Sequence, residues 1–231
     1  MKLSTHNINT QSNIQEAGDF GMDQKDMPHI THILRNQMYS DKLLAILREY
    51  STNAYDAHAD NNIEAIPIEV TFPTITEQTL KIRDFGSGLT EEEVMTIYIK
   101  YGASTKRNSN AFTGCLGIGC KSGFAYSSQF TITSFKDNVK QSYLAKINEQ
   151  NTGTISKIVD IKTDESNGVE ISIPIKSSDH SDLKNKGGNL FKHWIVKPKT
   201  NILIPDIEYT VQKEQYAIST EVVNKQLRGT R

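Results

Sequence analysis

The chain has 231 residues, 36% of them hydrophobic and 23% charged, which is enough for one sizeable folded domain and too apolar for a disordered one. Its 26 Lys and Arg against 27 Asp and Glu give a formal charge of -1, so bulk charge does not hold nucleic acid or an anionic membrane to it. A local basic groove and peripheral membrane contact stay open, but no apolar run reaches the ~18 residues of a spanning helix.

Residues 1–35 are polar, with scattered Ile8, Ile14, Phe20 and Met22, and read as an extended N-terminal arm leading into a loop. They open on MKLSTHNINT, which has no signal-peptide core. A helix is predicted from the Ser40-Asp41 cap, with Leu43, Leu47, Tyr50, Ala54 and Ala57 on one face, fraying at Asp60 to Asn62. The period then becomes two. Ile68, Val70 and Phe72, then Leu80 and Ile82, read as strands that end at the turn Gly86-Ser87-Gly88. Thr90 and Glu93 form a capping box for a second helix, carrying Val94, Ile97, Tyr98 and Tyr101 and stopped by Gly102.

Ala103 to Gly123 reads as a long Gly/Ser/Asn/Thr-rich loop, with a short helix from about Cys120 to Ser127. Cys115 and Cys120 fall in this stretch and read as reduced thiols of a cytoplasmic protein. A strand meander follows through Phe130 and Ile132; Tyr143, Ala145 and Ile147; Ile155, Val159 and Ile161; and Val169, Ile171, Ile173 and Ile175. After Lys176 the chain turns polar, with a weakly helical stretch at Leu190 to Val196 that Pro198 ends. The expected division is an arm at 1–35, a domain at 36–176 and a C-terminal extension at 177–231 that could open a second domain. Helices early and antiparallel strands late indicate an α+β two-layer sandwich, its mixed, mostly antiparallel sheet covered by helices on one face. A doubly wound sheet, which needs alternating strands and crossover helices, is excluded.

Three stretches carry chemistry. Glu49, Asn53 and Asp56 share one helix face, roughly a quarter-turn from the apolar stripe, which suits a pocket wall or a solvated face. Asp84 lies in phase with Leu80 and Ile82, so it points inward and needs a partner, whether a turn N–H, an internal Arg or a ligand's donor. Gly86 and Gly88 beside it serve the turn or let a flat ring approach. Gly114, Gly117 and Gly119 precede the short helix and can expose N–H groups to phosphate, though the stretch is neither a P-loop nor G-x-G-x-x-G. Lys100, Lys106, Arg107 and Lys121 surround that loop, as phosphate attractors or as a solvated charge cluster. His29 with His32, and Cys115 with Cys120, lack the second ligand pair of a zinc site.

In order along the chain, E-x-x-x-N-A-x-D-A at Glu49 to Ala57, D-x-G-x-G at Asp84 to Gly88 and the glycine lid resemble the N, G1 and G2 boxes of one superfamily. It is the ATPase superfamily of gyrase B, Hsp90, histidine kinases and MutL. The lid GCLGIGCKSGFAYSSQFTITS is most similar to phage RIIA-type rapid-lysis proteins, with MORC-type ATPases also similar. The resemblance implies a Bergerat-type sandwich that binds ATP with Mg²⁺. It implies adenine recognition by Asp84, a magnesium ligand in Asn53, water positioning by Glu49, and phosphate binding by the lid glycines with Lys106 and Lys121. Asp56 falls with the binding residues of the first box. It further implies slow hydrolysis in a lid-closing switch, ATP-dependent self-association through the arm, and host cytoplasm as the location if the protein is a phage one. Binding without turnover, as an interaction module, is the competing reading. Glu49 argues against a histidine kinase, which avoids an acid there.

One departure concerns the base. Relatives usually open a late strand with Gly-Thr, whereas Gly168-Val169 here brings no hydroxyl. Thr133 is a hydroxyl that could compensate, without a place assigned to it. Many relatives also take a γ-phosphate lysine from a following domain, and 177–231 is too short for that domain.

Overall fold

The computed structural model describes residues 28, 29, 32, 33, 37–99, 119–207, 209–212 and 217–219. Most of the arm, and Lys100 to Ile118 with Lys106, Gly114 and Gly117, lie outside these residues. Pro28, His29, His32 and Ile33 are helical, where the polar pattern suggests extended chain.

Helix α1 (Lys42–Asp60) starts where the Asp41 carboxylate accepts from the Leu44 amide at 3.0 Å. It ends with Asn62 at φ 56°. Its buried stripe includes Leu43, Leu47, Tyr50 and Ala54, as the spacing predicts, and also Ile46. Helix α2 (Glu91–Ile99) is opened by the expected capping box. The Glu93 carboxylate accepts from the Thr90 amide at 2.7 Å, and the Glu93 amide donates to the Thr90 hydroxyl at 3.2 Å.

The sheet has seven strands: β1 (Glu69–Thr71), β2 (Thr79–Arg83), β3 (Gln129–Lys136), β4 (Val139–Ile147), β5 (Gly153–Lys162), β6 (Gly168–Pro174) and β7 (Lys199–Thr200). Their order is β5-β4-β3-β6-β2-β1-β7, and every pair is antiparallel except β1 with β7. Register makes the core. Val70, Ile82, Ile171, Ile132 and Tyr143 lie opposite one another in a row across five strands. All five are buried in one cluster with Ile46, Leu47, Tyr50 and Val94 of the helices. This is the expected α+β sandwich, its mixed and mostly antiparallel sheet flanked by helices.

Three details differ from the periodicity. The short helix is a 3-10 turn at Gly119–Lys121 followed by α3 (Gly123–Tyr126). In β5, Ser142 faces Val159 while Tyr143 faces Lys157, so Ile158 is a bulge residue. Ile155 and Val159 therefore point to opposite faces despite their even spacing. The third is α4 (His180–Phe191), which ends where the weakly helical stretch was expected to begin. Gly187 and Gly188 hide it, since glycine is a poor helix former. A Cβ on Gly187 would come within 2.2 Å of the Phe72 ring, so the glycine is what lets α4 reach the sheet.

The change of composition at residue 177 is not an end of the core. Leu183 and Phe191 of α4 are fully buried in the same cluster, and β7 adds an edge to the same sheet. Tyr55 of α1 meets Trp194 edge-on at 6.0 Å. A separate hairpin of β8 (Tyr209–Gln212) and β9 (Ala217–Ser219) follows.

Candidate functional site

Asp84 stands just past the end of β2 and is 6% exposed. Its amide donates to the Val169 carbonyl at 2.9 Å, continuing the β2–β6 ladder by one residue. Its Oδ1 accepts from the amides of Gly86, at 2.9 Å, and Val169, at 3.2 Å. The turn N–H is thus a real partner, as sequence reasoning allowed. Among the described residues no hydrogen bond falls on Oδ2. Burial pushes the Asp84 carboxyl above the usual carboxylate range, against the two amides and then the Arg83 charge, which favour ionisation.

Glycines let the backbone close around this carboxylate. Gly168 opens β6 at φ 139°, and a Cβ there would lie 2.1 Å from the Asp84 carbonyl oxygen. Gly88, at φ 69°, would meet the Phe135 carbonyl oxygen at 2.2 Å, and Gly86 would meet that of Ala57 at 3.1 Å. The D-x-G-x-G turn is therefore pressed between α1 and β3.

His58 is the neighbour that sequence reasoning missed. The Phe85 amide donates to its Nε2 at 2.8 Å, so the proton sits on Nδ1, which donates to the Ile66 carbonyl at 2.9 Å. One neutral imidazole thus ties the end of α1 to the turn after Asp84. Nothing in the spacing of A-H-A-D signals a bond to a residue 27 positions on.

On α1, Glu49 and Asn53 are half-buried and Asp56 is buried at 2% exposure. Glu49 Oε1 accepts from Arg48 at 3.1 Å. Its Oε2 lies against Gly119, where a Cβ would come within 2.6 Å. The first box and the end of the glycine stretch therefore meet. Lys121 turns inward. It is 2% exposed, and its ammonium donates to the Ile97 carbonyl at 3.0 Å in the last turn of α2, which has no other basic residue. Cys120 shares that carbonyl at 3.5 Å, and burial pushes its thiol pKa up.

A family model described as histidine kinase-, DNA gyrase B-, and HSP90-like ATPase matches residues 42–179, more than half of the chain. The chain belongs to this family. No curated protein matches it. In this ATPase-family domain the match runs from the start of α1 to the residue before α4, so α4 and β7 share the core while lying beyond it.

Alternation places the two hydroxyls nearest in register to Val169. Thr133 is one residue out of phase with Ile132, so it leaves the core face, and its Oγ1 lies 3.0 Å from the Ser142 hydroxyl. Ser134 is the residue opposite Val169. Its hydroxyl donates to the Leu89 carbonyl at 2.7 Å and accepts from the Leu89 amide at 2.8 Å.

Among the described residues no group of three or more His, Cys, Asp or Glu could hold a metal ion, and no helix is long and apolar enough to cross a membrane. A divalent ion bound beside phosphates can take most of its oxygen ligands from them and from water, and the half-buried Asn53 amide oxygen is chemically suited to be one further ligand.

Proposed function

We propose that the domain binds ATP with Mg²⁺ and hydrolyses it slowly as a conformational switch. The observation that carries this is the buried Asp84 carboxylate, with one oxygen on two turn amides and the other without a partner among the described residues. A carboxylate in that state suits a flat ring bearing an amino group, which adenine has. Asp84 Oδ2 accepts from the amino group, while Gly86 and Gly88 let the turn beside Asp84 pack closely against α1 and β3.

The other roles rest on the resemblance and, for Glu49, Asn53 and Asp56, on their places on α1. Asn53 would hold the metal, which when bound would neutralise phosphate charge, and Asp56 supports the same wall from the interior. Glu49 orients the attacking water and accepts its proton. Gly114, Gly117 and Gly119 give backbone N–H groups to the phosphates, and Lys106 adds charge. Phosphoryl transfer needs positioning and electrostatic stabilisation, which this set supplies.

The resemblance of residues 114–134 to phage RIIA-type proteins supports a role in lysis or exclusion control inside a host cell. Nucleotide-dependent self-association through residues 1–35 belongs to the same reading. Single-turnover hydrolysis by the parent and by Glu49→Ala, beside ATP affinity, tests it. The variant should keep affinity within about fourfold and lose turnover. Equal hydrolysis by both proteins would remove Glu49 from the reaction, and binding without hydrolysis by either would leave a nucleotide-binding interaction module.

A further inference from the structure

We infer that Tyr50 is a positioning residue for the phosphate end of this site, its hydroxyl fixing the Gly119 to Gly123 turn against Glu49. The inference rests on the nucleotide reading above and adds a residue to it. Tyr50 lies in the core stripe of α1 at 2% exposure, with its ring tilted 54° against Phe130 at 6.0 Å. A tyrosine there needs no explanation as core. Its hydroxyl does.

That hydroxyl donates to the Cys120 carbonyl at 2.9 Å and accepts from the Gly123 amide at 3.0 Å. Both partners are backbone groups, on either side of Lys121 and Ser122, so a single side-chain atom closes the turn. Gly123 is matched to the role. A Cβ there would lie 2.9 Å from the Tyr50 hydroxyl and 2.7 Å from the Phe130 ring, so only glycine lets the amide reach the oxygen. Burial raises the Tyr50 pKa, so the hydroxyl stays a neutral donor.

The turn is held from its other side by Lys121, whose ammonium rests on Ile97 of α2. Two consecutive residues of α1 thus set two distances. Tyr50 holds Cys120 and Gly123, and Glu49 faces Gly119. Residues one apart on a helix point ~100° away from each other, so the same turn of helix can grip the loop and present the carboxylate. Without the hydroxyl, the Gly123 amide loses this acceptor, and the turn that sets Gly119 beside Glu49 loses its tie to α1.

The test compares the full chain with Tyr50→Phe and with Tyr143→Phe, a buried tyrosine whose hydroxyl bonds Gln141 on its own strand. Amide exchange at Gly123, and calorimetric affinities for ATP and for adenosine, are measured on all three. Tyr50→Phe should speed Gly123 exchange and weaken ATP about tenfold, the size of one or two lost hydrogen bonds. Adenosine affinity should not change, because Asp84 and its turn hold the base. Tyr143→Phe should change neither. Parent-like ATP affinity in Tyr50→Phe overturns the inference and leaves the nucleotide reading standing. Equal losses for ATP and adenosine, or the same loss in Tyr143→Phe, reduce Tyr50 to a packing residue. A parent that binds neither ligand removes the nucleotide reading and this inference together.

Discussion

Burial raises the Asp84 carboxyl pKa in the folded chain, and the sign of that shift separates its part in binding from its part in stability. The folded value is the higher one, so between the ordinary carboxylate pKa and the raised one the folded state binds the extra proton. The stability this gives is present below the ordinary value and is lost as pH rises through the folded one. At neutral pH the charge therefore opposes folding. Asp84→Asn keeps an oxygen for the Gly86 and Val169 amides and removes that charge. It should melt no lower than the parent at pH 7, with any advantage shrinking as pH falls toward the ordinary carboxylate range. The same variant should lose at least about a hundredfold in ATP affinity, because it presents a donor to a donor. A lower melting point at pH 7 would make Asp84 a structural residue. Gly119→Ala is the complementary probe. Its Cβ would displace only the tip of the Glu49 side chain, so stability should change by less than about 1 kcal/mol while turnover falls about tenfold or more. Parent-like turnover in that variant would mean that the Glu49 carboxylate is not held by Gly119. Both residues were legible in the sequence, because a carboxylate at an inward strand end and a glycine before a helix are local signals. His58 and Tyr50 were not. Each reaches distant backbone groups through side-chain polar atoms, 27 positions on for His58 Nε2 and 70 to 73 for the Tyr50 hydroxyl, and no periodicity encodes that.

At the scale of the elements, glycines decide which surfaces can meet. Gly168→Ala forces a side chain onto φ 139° and into the Asp84 carbonyl, so it should destabilise by about 3 kcal/mol or more in chemical unfolding. Gly187→Ala favours α4 as a helix by about 1 kcal/mol but drives a methyl into Phe72, and the clash should win by about 1–2 kcal/mol. A stabilised Gly187→Ala would show that helix propensity, not close approach, governs α4. The pattern of α1, α2 and the central strands was readable because capping residues and alternation are local. The start of α4 was not, since the residues that allow its packing are the ones that spoil its helical signature. The β5 bulge was hidden for a similar reason: inserting Ile158 leaves the even spacing of Ile155 and Val159 intact while reversing their faces.

For the whole molecule, composition and structure part at residue 177. The polar stretch suggests that the domain ends there, yet Leu183 and Phe191 fill its core and β7 pairs with β1. A chain cut after residue 176 should be less stable by about 3 kcal/mol or more than one cut after residue 207, from the loss of two buried side chains and an edge strand. Equal melting temperatures would put the boundary back at 177. Polar surface on an amphipathic helix and a short edge strand explains why composition misleads there. The central claim, that this sandwich is built around a nucleotide with Asp84 at the base, is tested most directly by calorimetric titration of the full chain and of Asp84→Asn with ATP, in Mg²⁺ and in chelator. The account predicts saturable binding by the parent, strengthened by Mg²⁺, and no measurable binding by a variant that remains folded. Absence of binding by the parent, or equal binding by both proteins, would contradict it.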